Sequence, residues 1–484
     1  MEGIGSGLAP VEAVVVGSGP NGLAAAIELA RAGRTVTLVE GAATPGGGTR
    51  SAELTLPGFV HDVCSSIHTF GRTSPFFAGL DLERRGLRWV EAPAAIGHPL
   101  DDGSAVMLRG GVAETATGFG DAPDAEAYRR LLDPIVDDWS GLLGDVLAPF
   151  HVPPSPRRAL RLARFGLHAV QSASRLAGRF RGERARALFA GVAAHSIIGL
   201  TEPISAAAPL VLMGAAHADR WPFPEGGSGR LAEALSAELV ARGGTIRTNL
   251  WIERFDQLPD HEVAIFDVAP RQLESIAGDH LPARYRAALR RFRHGAGIFK
   301  LDLAIDGMVP WLAGELAEAG TVHLGGTFEE IARSEGLVAA DRVPDRPFVL
   351  LTQASLFDRT RAPEGRNTVW AYCHVPNGSV ADMTEPILRQ IERFAPGFRE
   401  RILAIATTGP AEVEAYNPNN VGGDIAGGRL DISQLFTRPT GRFLDPYATP
   451  DRSIFLASAA TPPGGGVHGM CGFHAARSAL RRGF

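Results

Sequence analysis

Cysteine is nearly missing from this chain: there are three in 484 residues, Cys64, Cys373 and Cys471, far apart and never in a C-x-x-C pair. That spacing indicates neither a zinc site nor a disulfide framework, and it fits a reducing, cytoplasmic setting. An excess of one charge is missing too. With 48 basic and 53 acidic side chains the net charge is -5, so nothing global argues for an anionic membrane, and no nucleic-acid partner is expected. The opening MEGIGSGLAP lacks the basic and apolar regions of a secretory signal, and no window of about 20 residues is apolar enough to span a bilayer. Tyrosine is scarce at 5 residues, and no repeat period recurs. Glycine is what the chain has in quantity: 58, beside 34 prolines, in a composition 45% apolar and 21% charged. That is too hydrophobic for disorder, so the glycines belong to ordered turns and close backbone contacts. The length calls for two or three domains.

The first informative segment is EAVVVGSGPNGLAAAIELARAGRTVTLVE. Val14, Val15 and Val16 form the apolar run of a buried parallel strand, and Leu23, Ile27 and Ala30 fall on one side of the helix that follows. Between them Gly17, Gly19 and Gly22 occupy the G-x-G-x-x-G positions: the first permits the turn, the second lets a pyrophosphate approach, and the third packs helix on strand. Glu40 ends the next strand 18 residues beyond Gly22, where a carboxylate accepts ribose hydroxyls. It favours FAD or NAD over NADP, whose extra phosphate it would repel. Directly after it, Gly46, Gly47 and Gly48 precede Thr49 and Arg50. Such a run brings backbone amides to a second part of a long cofactor, with Arg50 available to neutralise phosphate or a reduced flavin; a surface loop is the plain alternative.

His61, Asp62, Cys64 and His68 in FVHDVCSSIH lack the third and fourth ligands of a metal site, and no metal is expected. Strands are expected at 88–92 and 106–109 around a GHPLDDGS turn. Helix is expected from Asp124 to about Leu147, and a second long helical region from Arg157 to Arg186 carries nine arginines, one acid and the apolar anchors Leu160, Phe165, Leu167 and Val170. It suits either a lipid surface or a solvated face over the protein's own core. His195 and Glu202 are isolated polar groups in the apolar stretch beyond it and read as structural contacts, although a hydrophobic substrate channel could pass there. Gly226, Gly227 and Gly229 open a further helix that could meet a phosphate or pack on a sheet. Strands are expected at 261–270, 296–305, 346–353 and 368–375. Near the C-terminus RSIFLASAATPPGGGVHGMCGF runs from a strand through Gly464, Gly465 and Gly466 into a helix from about Val467, whose first amides could stabilise an anionic flavin edge beside His468.

Taken together, VVGSGPNGLAAA, LVEGAATPGGGTRS, FVHDVCSSIH, PFPEGGSGRLAEAL, WAYCHVPNGS and TPPGGGVHGMCG resemble the phytoene-dehydrogenase-related flavoproteins of the amine-oxidase and carotenoid-desaturase superfamily, and within them the pyridine nucleotide-disulfide oxidoreductase domain-containing protein 2 group. The likeness covers nearly the whole chain. It implies an α/β fold: a Rossmann-like FAD-binding domain built from discontinuous segments (11–90, 222–270, 430–484), a mixed-sheet substrate domain (91–123, 271–429) and a helical insertion (124–221). It also implies FAD held by Gly17, Gly19 and Gly22 at the turn, Glu40 at the ribose, Gly48, Thr49 and Arg50 along the pyrophosphate-to-flavin side, and Gly466, Val467, His468 and Gly469 over the flavin. Ser458 and Ala459 stand where many members have Gly-Asp or Gly-Glu, so ribityl recognition falls to backbone groups.

Desaturases of this kind move hydride from an extended apolar substrate to flavin N5, and the expectation is an FAD-dependent dehydrogenase or desaturase of an isoprenoid- or lipid-like substrate. No acid–base pair stands out; Arg50 and His468 are the catalytic nominations. No second dinucleotide fingerprint is present, so oxygen, a quinone or another acceptor takes the electrons, unless the reaction is a redox-neutral isomerisation. The rivals are a flavin-dependent amine oxidase, which calls for an aromatic, polar-tipped pocket, and a non-catalytic binding protein that kept the fold. The chain is expected in the cytoplasm with peripheral membrane contact through the arginine-rich region, and the sequence leaves its oligomeric state open.

Overall fold

The computed structural model describes residues 9–484; the opening segment read for a secretory signal lies largely outside them. Five parallel strands form the first sheet, in the order Ile454–Leu456, Val263–Phe266, Ala13–Val16, Val36–Val39, Thr245–Arg247. Ala13–Val16 sits at its centre, with Val15 opposite both Ile265 and Leu38. All four of its residues are buried, which is why the run reads as continuously apolar and not alternating. Helix Pro20–Arg31 starts on Gly19 with Pro20 at its first position, where a missing amide costs nothing. Its close crossing with Met470–Arg481 depends on a glycine: a Cβ on Gly472 would lie 1.7 Å from the Asn21 carbonyl.

A seven-stranded mixed sheet stands opposite, in the order Ile402–Thr408, Gly297–Asp306, Arg366–Val375, Val349–Thr352, Ala319–Leu324, Ala94–Pro99, Ala105–Arg109. Its neighbours are antiparallel except Ala319–Leu324 and Ala94–Pro99, which run parallel. Because side chains alternate across a pleat, the central strands present two chemistries. Leu301, Leu303, Val349, Leu351, Ala371 and Cys373 join helix Thr384–Phe394 in one apolar core. The opposite face carries two cross-strand rows, Asp302–Trp370–Thr352–Thr321 and Lys300–Tyr372–Leu350–His323. Lys300, the only lysine in the chain, is buried and sits 2.6 Å from Asp302.

Helices between Ala122 and Asp219 form a third layer. They depart from the expected two long helices. Asp124–Leu147 is broken at residues 137–138 into Ala122–Val136 and Trp139–Val146, and the arginine-rich region is three helices, Pro156–Ala169, Ala173–Ala177 and Glu183–Ala193. Ser155 and Ser172 each take an amide of the helix they precede, Arg158 N and Arg175 N, and so start the first two of these helices, while Glu183–Ala193 begins on Gly182 without a side-chain cap. Three arginines are also lost to internal pairs: Arg161 bridges Asp138 and Asp145, Arg158 pairs with the same buried Asp145, and Arg186 pairs with Glu329. Strand Ala94–Pro99 runs into the expected GHPLDDGS turn, which is confined to residues 100–104. Among the described residues no helix is long and apolar enough to cross a membrane.

Candidate functional site

A cleft of about 680 Å³ runs between the two sheets. One end is the glycine turn. Gly17 takes φ +95°, and a Cβ on Gly22 would lie 2.0 Å from the Gly17 carbonyl, so neither position accepts a side chain. Glu40 closes this end: Oε2 accepts the Ser18 amide at 3.0 Å and Oε1 the Ala42 amide at 2.8 Å. Asp267, at the end of strand Val263–Phe266, takes the Gly22 amide at 2.8 Å on Oδ2. Burial pushes its carboxyl up to about 7, with nearby Glu40 adding to the shift.

The middle of the cleft is lined by Gly47, Gly48, Thr49 and Arg50 on one side and by Ser458, Ala459, Ala460, Gly466 and Val467 on the other. The loop at 46–48 folds onto the turn so closely that a Cβ on Gly47 would lie 2.9 Å from Gly19 Cα. Cys64 lies beside Gly48, and burial pushes its thiol up, out of the thiolate range.

The far end is an aromatic chamber. Trp370 and Tyr372 meet edge to face with centroids 5.0 Å apart, and Leu212 of helix Ala207–Asp219 and Trp221, just beyond the end of that helix, close the other side. Its polar tips are Thr321, Thr352, His68 and His195. Burial holds His68 down to about 4 and His195 down to about 3, so both imidazoles are neutral at physiological pH. His195 Nε2 lies 3.1 Å from His323 Nε2, which leaves Nδ1 as the ring nitrogen for a chamber ligand. The acidic residues lining the cleft, Glu40, Glu253 and Asp267, all stand toward the glycine turn, away from the chamber.

Comparison with known proteins agrees with this geometry. Residues 15–80 match the model of the NAD(P)-binding Rossmann-like domain. The chain is 24% identical to the rat pyridine nucleotide-disulfide oxidoreductase domain-containing protein 2 over 97% of its own length and 93% of the relative's. It is 27% identical to the phytoene dehydrogenase of Streptomyces griseus, over 81% and 77%. In fold it is similar to cyclohexylamine oxidase from Brevibacterium oxydans IH-35A, with a TM-score of 0.58, 16% identity and 98% and 99% coverage. The chain is an oxidoreductase with a Rossmann-type dinucleotide-binding fold consistent with FAD, similar over most of its length to phytoene-dehydrogenase-related proteins and in fold to amine oxidases.

The residues of this oxidoreductase fit the cofactor. Gly17, Gly19 and Glu40 meet at one end of the cleft, with Gly22 packed directly behind the turn, and Gly48, Thr49, Gly466 and Val467 lie along its middle. Asn21 Oδ1 is buried at the turn, and Thr321 Oγ1 and Trp370 Nε1 are buried at the chamber, all without a protein partner; polar atoms in that condition call for a ligand or water. The side chains nominated for catalysis stand outside the chamber. Arg50 donates to the Thr44 carbonyl from Nε and Nη2 and lies 3.3 Å from Glu40, so it is held on the nucleotide side and not in the chamber. The Thr49 hydroxyl is spent on the Gly46 carbonyl. His468 does not line the cleft. Its Nδ1 accepts the Met470 amide at 3.0 Å, and the ring is buried against Phe70. Gly469, at φ +69°, caps the helix, which therefore starts at Met470 and not at Val467. The glycine cluster at 226–229 does not face a phosphate either, since Gly226 gives its amide to Asp358 and the Ser228 and Gly229 amides go to Asp62 and Ser51.

The chamber floor does not declare itself as a site in the sequence. The signal was present as period-2 alternation in TVWAYCHV and VLLT, which puts Trp370, Tyr372, Leu350 and Thr352 on one face of adjacent strands. His195 read as a structural contact because its partner, His323, is 128 residues away.

Proposed function

We propose that this oxidoreductase removes hydrogen from a carbon next to nitrogen in a compact, uncharged amine. The observation that carries the reading is the chamber itself: three aromatic walls, Trp221, Trp370 and Tyr372, tipped with hydroxyls and a neutral imidazole, and no carboxylate lining it. An ammonium entering there would find ring faces but no carboxylate to balance its charge, and the desolvation cost of a buried ion, several kcal/mol by order of magnitude, exceeds the roughly 0.5–2 kcal/mol those faces return. A free amine instead finds aromatic faces for its carbon skeleton and His195 Nδ1 or Thr352 for its N–H groups. The fold likeness to a cyclohexylamine oxidase supports the same reading. When bound, FAD supplies the two-electron acceptor for the departing hydrogen. The chain's share is to hold the substrate carbon toward the cleft's middle, to exclude water, and to offer uncharged groups at the nitrogen. Oxygen is the proposed final acceptor, with a quinone as the other candidate.

Dehydrogenation of an apolar, isoprenoid-like substrate is the second reading, favoured by the sequence likeness to a phytoene dehydrogenase over most of the chain. Against it stand the chamber's polar tips, Thr321, Thr352, His68 and His195, which an apolar chain would leave unpaired. Anaerobic addition of small amines, and separately of a lipid extract, to the flavin-loaded protein tests the choice. Bleaching of the flavin band by amines, with peroxide released on admitting air, is the expected result; bleaching by the apolar fraction alone transfers the assignment to the second reading.

We also propose peripheral contact with an anionic lipid surface through helix Pro156–Ala169. Its outer face exposes Leu160 and Leu167, at 54% and 68%, beside Arg157 and Arg164, which have no carboxylate partner among the described residues.

A further inference from the structure

Asp267 lies at the end of the central strand pair and forms one wall of the glycine turn. The oxygen that takes the Gly22 amide also stands 2.7 Å from where a Cβ on Gly19 would be, and the Asp267 carbonyl is equally close to a Cβ on Gly17. The amides around the turn are shared out unequally. Gly17 gives its N–H to the Val39 carbonyl, Ser18 to Glu40 and Gly22 to Asp267, while Pro20 has none. A helix N-terminus attracts anions because its first amides are free, and here a carboxyl group of the chain already occupies one of them.

We propose that Asp267 is a cofactor-binding residue that acts as a neutral acid: Oδ2 keeps the Gly22 amide while a protonated Oδ1 donates a hydrogen bond to the pyrophosphate of the bound dinucleotide. The alternative, a carboxylate beside two phosphate charges, is repulsive in a buried cleft. The charged and titratable groups facing Asp267 leave it no cation. Glu40, from the end of the neighbouring strand, adds negative charge, and Arg50 is engaged with Glu40 at 3.3 Å. Cys471, from helix Met470–Arg481, has its thiol pushed up to about 12 and stays uncharged. Asn419 gives its side-chain amide to the Asp267 carbonyl at 3.4 Å, not to the carboxyl. Burial already brings the Asp267 carboxyl to about 7 in the absence of any phosphate, so bound pyrophosphate raises it further. Affinity for the dinucleotide is then complete below about pH 7 and is lost as pH rises, by about tenfold per unit, because binding takes up one proton.

The inference depends on a dinucleotide in the turn and not on which substrate fills the chamber. It is tested by equilibrium release of FAD from the holoprotein, read as free-flavin fluorescence on dilution, for wild type and Asp267→Asn. Asparagine keeps an acceptor for Gly22 and a donor for phosphate and cannot ionise. Wild type is expected to lose about tenfold in affinity between about pH 7.5 and about pH 8.5, while Asp267→Asn holds steady within about twofold. A flat wild-type profile, or an equal slope in the variant, overturns the role of Asp267. Wild-type protein that holds no FAD at any pH overturns the cofactor assignment along with it. The wild-type profile stands by itself if the variant fails to fold.

Discussion

Burial acts on both His195 and Asp267: it keeps the imidazole uncharged at neutral pH and, by pushing the carboxyl up to about 7, leaves Asp267 about half protonated there. At the residue scale this is how the cleft separates its two tasks: an acid for the phosphate end, neutral groups for the substrate end. His195→Asn removes the imidazole nitrogen offered to the chamber while leaving the glycine turn untouched. Weaker amine binding by roughly 2- to 10-fold, the worth of one hydrogen bond, is expected, with FAD content unchanged; titration of the anaerobic flavin spectrum with amine measures both. Equal binding by the variant would remove His195 from the substrate contacts. The sequence made Gly17, Gly19, Gly22 and Glu40 legible because their spacing is local and their chemistry is set by one turn. It could not make His195 legible, because the ring's meaning depends on His323 and on strands that come together only in the fold. Arg50 and His468 were nominated for charge and position near glycine runs, and each proves to be engaged locally, with Thr44 and Glu40 or with Met470.

At the scale of elements, one buried carboxylate ties four segments into the wall behind the cleft. Asp62 accepts from Ser51 Oγ, Ser66 Oγ, the Ser228 amide and both terminal nitrogens of Arg361. Burial works to raise its carboxyl, but Arg361 and these donors outweigh that and hold it below the usual range. Removing one partner of such a pair leaves the other charged and buried. Asp62→Asn is therefore expected to destabilise the protein by about 3–5 kcal/mol, read from denaturant unfolding. Because the native carboxyl is held below its unfolded value, the pair's contribution is present above the unfolded value and is lost as pH falls through the native one; a variant as stable as wild type at neutral pH would contradict this. The arginine-rich region belongs to the same scale. Composition suggested one long basic helix; the serine caps and the internal pairs at Asp138 and Asp145 divide it, leaving one outer face with Leu160 and Leu167. Flotation with anionic vesicles should recover wild type and lose the Leu160→Asp, Leu167→Asp double variant, whereas equal recovery would move the contact elsewhere.

At the scale of the whole molecule, two sheets face each other across one cleft, with a helical layer supplying the chamber's third wall. The α/β class was readable in the strand–turn–helix unit at residues 13–40, which declares itself within about 30 residues; the discontinuous build of the sheet followed only from the family resemblance, since strands Thr245–Arg247, Val263–Phe266 and Ile454–Leu456 join it from far along the chain. The chamber was not readable, because strands from Ala319, Val349 and Arg366 share a face only through their register. That face supports the central claim, a compact amine taken up in its uncharged form. The most direct measurement is the rate constant of anaerobic flavin reduction at subsaturating amine, followed from about pH 6 to about pH 9 with excess FAD. Since His68 and His195 titrate near 4 and 3, the chamber itself adds no inflection in that window. The predicted result is a rate rising about tenfold per pH unit until the amine's own pKa is reached. A rate independent of pH, or flavin that no amine reduces, would contradict it.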